Sequence, residues 1–164
     1  MYRSIAYVKH LITATNQHGV HSPFVYKFVT QCLYTKVKFK GLKVENVLVK
    51  SIRHFSFEKI KIDSNDACIE QRIQNELRLK VSYESPYDLI YFDDPPEKLL
   101  LMYTNKIHND SMIILGNIHK NKSATFIWDH LRNNEMVTVS IDLFYCGVLF
   151  FRKEQAKEHF KIRI

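Results

Sequence analysis

Apolar residues recur along this chain first at helical and later at strand intervals. Over residues 2–15, Tyr2, Ile5, Val8, Leu11 and Ile12 fall on one broad face of an amphipathic helix. His18-Gly19-Val20-His21 then reads as a turn and Ser22-Pro23 as a helix start. Serine caps free N–H groups there, and proline, which has no donor, fits the first helical position. Phe24, Val25, Phe28, Val29, Cys32 and Leu33 follow at helical spacing, which predicts a helix buried on one side. Lys36 to Lys40 alternates like an exposed strand, Val44 to Phe55 fits a helix, and Phe57 to Ile62 alternates as a strand. Ser64 or Asn65 is placed to cap a helix that carries Ile69, Ile73 and Leu77 on one face.

The pattern sharpens from Tyr87. Tyr87 to Phe92 predicts a buried strand that ends at Asp93-Asp94-Pro95-Pro96, and Pro96 can open a helix through Ile107 with Leu99, Leu100 and Tyr103 inward. Asn109-Asp110-Ser111 reads as a turn into a second apolar strand, Met112 to Leu115. Gly116 to Asn121 forms a loop; Ser123 caps a helix holding Ile127, Trp128 and Leu131; Asn133-Asn134 ends it, since Asn tolerates a left-handed cap. Val137, Val139 and Ile141 alternate with polar residues, and Gly147 precedes the run Val148 to Arg152, which together predict an antiparallel hairpin. Strand–helix repeats closed by a hairpin imply an α/β fold with a mostly parallel sheet and an antiparallel edge.

Composition narrows the picture. The chain has 164 residues, 46% of them hydrophobic, which predicts a single globular domain: a helical segment over 1–35 and an α/β part over 36–164. No apolar run reaches the ~20 residues of a membrane helix, and Arg3, Lys9 and His10 interrupt any signal-peptide core. This predicts a cytoplasmic protein with no membrane insertion. Cys32, Cys68 and Cys146 form no metal or redox spacing and read as buried thiols. The net charge is +7, concentrated in Lys36, Lys38, Lys40, Lys43, Lys50, Arg53, Lys59 and Lys61. Such a stretch is either a solvated face or a surface for nucleic acid or another anionic partner.

Two stretches carry a family resemblance. One is His18-Gly-Val-His-Ser-Pro-Phe24 with its helix to Leu33. The other runs from Asp110 to Arg163 and includes Val137-Thr-Val-Ser-Ile-Asp-Leu-Phe144 and Gly147-Val-Leu-Phe-Phe-Arg-Lys-Glu-Gln-Ala-Lys-Glu-His-Phe160. With the Tyr87–Asp93 strand they span roughly half the chain, and they resemble the class I S-adenosylmethionine-dependent methyltransferases, in particular a bacterial group common in Bacteroidetes. The resemblance implies a Rossmann-like sheet whose last strand is inserted antiparallel. It also implies a cofactor lying over the carboxyl ends of the first strands, held on a glycine-rich turn after strand one.

The match is partial where the cofactor would bind. Between Gly41 and Gly116 there is no glycine. A backbone presses against a charged ligand only where no Cβ intrudes. Few residues separate the Ser-Pro helix from the Tyr87 strand, so at least one strand–helix unit of the cofactor half is expected to be missing. Asp93 fits the acid after the fourth strand, and Asp94 replaces a usual glycine. Gly116-Asn117-Ile118-His119 fits a loop that normally begins with two aspartates, and Lys120 replaces a usual tryptophan. By resemblance, Asp93, Asp94, Gly116 and Asn117 are the cofactor-binding candidates, and Asp93 and His119 the catalytic ones.

Each has a plainer reading: Asp93-Asp94 as a strand-to-helix turn, His119 as a loop histidine with no acid beside it in sequence, Trp128 as core. His18 and His21 lack further ligands for a metal, and no metal is expected. The leading expectation is a methyltransferase-type protein with a reduced S-adenosylmethionine site, weakly active or inactive, kept as a binding module. The alternatives are a working small-molecule methyltransferase with an atypical site and a basic binder of nucleic acid or another anionic surface. A homodimer covering an exposed sheet edge is a further expectation.

Overall fold

The computed structural model describes residues 1–37, 39, 41–77 and 84–164. Six strands form one sheet: β1 (Ile60–Asp63), β2 (Tyr87–Phe92), β3 (Ile107–Gly116), β4 (Val139–Asp142), β5 (Cys146–Phe150) and β6 (Glu158–Lys161). Their order across the sheet is β1-β2-β3-β5-β4-β6. The pairings β1–β2, β2–β3 and β4–β6 are parallel, whereas β5 runs antiparallel to both of its neighbours. Five strands therefore point the same way and end on one edge.

Around the sheet lie α1 (Tyr2–Thr13), α2 (Pro23–Phe28, continuing as a π-helical turn to Leu33), α3 (Lys43–Phe55), α4 (Ile69–Leu77), α5 (Leu99–Tyr103) and α6 (Lys122–Asn133). Strand side chains alternate between two apolar layers. Leu89, Tyr91, Met112, Ile114, Val139 and Val148 pack with Val25, Phe28, Leu48, Ile52, Ile69 and Ile73 from α2, α3 and α4. Ile90, Phe92, Ile113, Leu115 and Leu149 pack with Leu99, Tyr103, Trp128 and Leu131 from α5 and α6. Both faces of the central strands are covered, which is why they read as continuous apolar runs.

That layering has a topological consequence. The crossovers β1–α4–β2 and β2–α5–β3 step the same way across the sheet, yet α4 and α5 pack on opposite faces. The two crossovers therefore have opposite hands. The next one, β3–α6–β4, also steps that way with its helix on the α5 side. Parallel crossovers are right-handed in about 98% of cases, which assigns the right hand to the two that agree and the left hand to β1–α4–β2.

Several expectations need correction. The antiparallel strand of the hairpin is not at the sheet edge but inserted between β3 and β4, as the resemblance implies, and β6, which the sequence did not suggest, extends the sheet beyond β4. The helix expected from Pro96 to Ile107 is shorter, and β3 begins at Ile107, running through Asn109-Asp110-Ser111. The Ser111 hydroxyl donates to the Tyr87 carbonyl and accepts from the His108 N–H. The supposed turn is thus absorbed as a bulge where the β2–β3 register shifts. Asn134 is extended rather than left-handed. Lys36, Val37 and Phe39 lie in no strand, and Lys38 and Lys40 fall outside the described residues. Cys32 and Cys146 are buried, with burial pushing the Cys32 thiol up to about 12, but Cys68 is exposed. Among the described residues, no helix is long and apolar enough to cross a membrane.

Helix α1 also departs from its pattern. Its apolar face points outward, with Ile5 at 60%, Val8 at 55% and Ile12 at 79% exposure, and its one buried residue is His10. The chain after it is tied to the sheet by main-chain bonds from Thr15 N–H to the Lys161 carbonyl and from Arg163 N–H to the Thr15 carbonyl. Tyr7 packs edge-on against Phe144 at 4.7 Å.

Candidate functional site

The carboxyl edge of the parallel strands is where α/β folds bind ligands, and here it divides into two parts. The first lies at the ends of β1, β2 and β3. Asp93, directly after β2, takes three hydrogen bonds: Oδ2 accepts from Ser64 Oγ (2.8 Å) and from the Asn65 backbone N–H (2.7 Å), and Oδ1 accepts from the Tyr91 hydroxyl (2.9 Å). The Tyr91 hydroxyl is held above its ordinary pKa by burial and by the Asp93 charge. The loop leaving β1 is thus fastened onto the end of β2.

Asn117 follows β3 in a left-handed conformation (φ 50°), and its side-chain amide donates to the Asp93 carbonyl at 3.1 Å. Gly116 lies so close to that carbonyl that an added Cβ would stand 2.6 Å from it. Asp94 pairs with Lys120, the residue in the tryptophan position. The four cofactor-binding candidates of the sequence therefore gather in one place, but Asp93 is taken up by Ser64, Asn65 and Tyr91, Asn117 by the Asp93 carbonyl and Asp94 by Lys120, with Asp94 Oδ1 left buried without a hydrogen-bond partner. Four clefts of about 210–580 Å³ flank the described residues, and none of the four candidates lines one of these.

The second part lies at the end of β4. His119 turns away from Asp93 toward Asp142, the last residue of that strand, and its Nε2 stands 2.8 Å from Oδ2. The acid that sequence proximity did not provide comes from the hairpin. His10 reaches the same carboxylate from α1, with Nδ1 3.4 Å from Oδ1. Burial pushes the Asp142 carboxyl up, but the rings of His10 and His119 and the Phe144 N–H outweigh it and hold the group well below the usual carboxylate range. That N–H donates to Oδ1 at 2.9 Å. Phe144 itself has φ 67°, a strained conformation for a residue with a side chain. It turns the phenyl ring onto His119, stacked with centroids 5.4 Å apart, and beside His10.

A cleft of about 430 Å³ opens on this cluster between α1 and α6, walled by Ala6, Lys9, Thr125, Asp129 and Lys161 besides the three residues themselves. Sequence reasoning found His119 and missed His10 and Asp142. The available signal was an acid ending a strand (Asp142) in an alternating apolar segment.

No family model, no curated protein and no solved structure matches this chain.

The other sequence candidates are placed elsewhere. Trp128 is buried under Gly147. The Asn16 side chain accepts from the His18 N–H in the turn, His21 is exposed, and among the described residues neither belongs to a cluster of three candidate ligands. Within the basic stretch Lys36 and Lys59 are exposed, Lys38 and Lys40 lie outside the described residues, and three others are engaged. Lys50 Nζ donates to the carbonyls of Leu33 and Thr35, Arg53 donates to the Glu76 carbonyl and lies over Phe39, and Lys43 sits over Tyr145.

Proposed function

We propose that this chain is a methyltransferase-type scaffold that no longer binds S-adenosylmethionine and serves as a binding module rather than a methyl-transfer enzyme. The observation that carries this reading is the closure of the first strand ends. In a doubly wound fold the loop after strand one offers backbone N–H groups to the cofactor. Here the Asn65 N–H of that loop donates to the Asp93 carboxylate, and Ser64 donates beside it. The donors and the acid that would face a ligand satisfy each other.

The sheet order supports the same reading. Doubly wound sheets run 3-2-1-4-5 from one edge through the switch point. Removing strands two and three would leave β1 beside β2, β3 and the hairpin, as observed. It would also leave one crossover of the wrong hand, because the helix that once led outward from strand one now leads back to strand four. That is the hand assigned above to β1–α4–β2 from its layer and the usual hand of the other two crossovers.

Methyl transfer from a sulfonium is an in-line displacement whose catalysis is mainly positioning. A scaffold without the donor's cradle loses that contribution. Isothermal titration of the full chain with S-adenosylmethionine tests the reading: the expected result is no heat of binding up to millimolar ligand. Saturable binding at micromolar concentration overturns it and favours a working small-molecule methyltransferase with an atypical site.

A further inference from the structure

We infer that His10, His119 and Asp142 form a binding site for a divalent transition-metal ion of the zinc type, with its remaining position open to the cleft between α1 and α6. One nitrogen from each histidine and one carboxylate oxygen all lie within 4.8 Å of one another. Tetrahedral zinc binds imidazole nitrogen at about 2.0–2.1 Å and carboxylate oxygen at about 2.0–2.2 Å, so its ligand atoms stand about 3.3–3.5 Å apart. His10 Nδ1 stands 3.4 Å from Asp142 Oδ1 and His119 Nε2 2.8 Å from Oδ2, so one carboxylate oxygen meets both rings around a tetrahedral ion only after a small side-chain shift. Two imidazoles with one carboxylate suit zinc and its first-row neighbours, not calcium or magnesium, which take oxygen ligands.

Two further observations point to an ion. First, His10 is 95% buried, being 5% exposed, and its Nδ1 makes no hydrogen bond although it is aimed at the carboxylate. A buried polar atom without a partner is costly. Second, the outer contacts fix the ring of His119. The Thr125 hydroxyl bonds both the Ile118 carbonyl and His119 Nδ1, each at 3.1 Å. With its one proton on that carbonyl, Thr125 accepts from Nδ1–H, so a neutral ring presents its Nε2 lone pair to Asp142. Lone pair and carboxylate then face each other at 2.8 Å, and something positive has to lie with them: a proton or a metal ion. A ligand histidine anchored through its other nitrogen is the usual outer arrangement of a metal site. Asp142 is anchored in the same way by the Phe144 N–H.

Three protein ligands leave a fourth position, and the cleft lies on the open side of the cluster. Open sites of this kind hold water or a small ligand there. This inference stands whether or not the sulfonium donor binds, since none of the three residues belongs to the closed strand ends.

The test is titration of the untagged full chain with Zn2+, read by calorimetry, and with Co2+, read by visible absorption. One ion per chain at micromolar or tighter affinity is expected, with a Co2+ spectrum of nitrogen–oxygen ligation. His10→Ala and His119→Ala should each weaken binding at least tenfold, while His18→Ala and His21→Ala leave it unchanged. Circular dichroism checks that each variant folds. His10 lies on a peripheral helix, so His10→Ala keeps the test decisive if His119→Ala unfolds. No uptake, or uptake that survives His10→Ala, overturns the site; in that case the Asp142–histidine cluster is held by protons alone.

Discussion

The closure at Asp93 makes a quantitative prediction. Replacing Asp93 with alanine removes the acceptor of three hydrogen bonds, from Ser64 Oγ, Asn65 N and Tyr91 Oη. Bonds to an ionised group contribute about 1.5–3 kcal/mol each. Asn65 is exposed and Ser64 half-buried, so water replaces the lost acceptor for both and their share falls at the low end. Tyr91 is 3% exposed, and its hydroxyl has no such recourse. A buried orphan of that kind costs about 1–3 kcal/mol. The sum is about 4–6 kcal/mol, and a domain of this size loses about 2–4 °C of Tm per kcal/mol, so Tm should fall by about 8–24 °C. Thermal unfolding followed by circular dichroism reads it. Tyr91→Phe removes the orphan, so the double variant should be more stable than additivity requires, by about 1 kcal/mol. An Asp93→Ala protein that melts within about a degree of its parent, or a strictly additive double variant, would refute the clamp and return Asp93 to the set of groups free for a ligand.

Other outcomes follow from the same geometry. At Gly147 an added Cβ would stand 2.4–2.7 Å from ring carbons of the buried Trp128; Gly147→Ala should cost about 1–3 kcal/mol by overpacking, and part of that loss should be recovered in Gly147→Ala with Trp128→Phe, as denaturant titration would show. Burial raises the Asp88 carboxyl, but the N–H groups of Lys59 and Glu58 and the ring of His108 outweigh it and lower its pKa. A carboxyl depressed on folding stabilises the protein above its unfolded value of about 3.9 and loses that contribution as pH falls through the folded one. Asp88→Asn should therefore flatten the decline of stability below about pH 4, and an unchanged acid limb in a stability-versus-pH series would count against the assignment.

Much of the fold was legible because local signals agreed. Tyr87 to Phe92 and Met112 to Leu115 are apolar runs bounded by turn residues, and both lie in strands covered on two faces. Ser22-Pro23 does start a helix, with Ser22 Oγ accepting from the Val25 N–H. The failures have separate causes. Asn109-Asp110-Ser111 has turn composition, but the Ser111 side chain supplies the bonds that let a strand pass through it. Strand β6 is four residues long, Glu158 to Lys161, and it lies on a sheet edge where little alternation is imposed. The left-handed crossover has no sequence signature at all, because hand is decided by which face a helix covers.

The site was less legible than the fold, and α1 shows why. Periodicity locates a helix and its apolar stripe, and the usual inference buries that stripe. Here Ile5, Val8 and Ile12 face outward, and the opposite side, Tyr7, His10 and Ala14, packs toward the sheet. Hydrophobic burial alone would turn the helix over, since it favours the aliphatic stripe inside by roughly 1.5–3 kcal/mol per fully buried side chain and disfavours an unbonded imidazole there. Something specific must hold the observed face. The Thr15 main-chain bonds to Lys161 and Arg163 fix where the helix ends, but they do not set its rotation. Rotation is set by Tyr7 against Phe144 and by His10 against Asp142. The first is an ordinary ring contact, worth about 0.5–1.5 kcal/mol. The second leaves Nδ1 without a hydrogen bond as it stands. A metal ion bridging His10 to His119 and Asp142 would give the inverted helix a further anchor, so loading of the proposed site should also order α1.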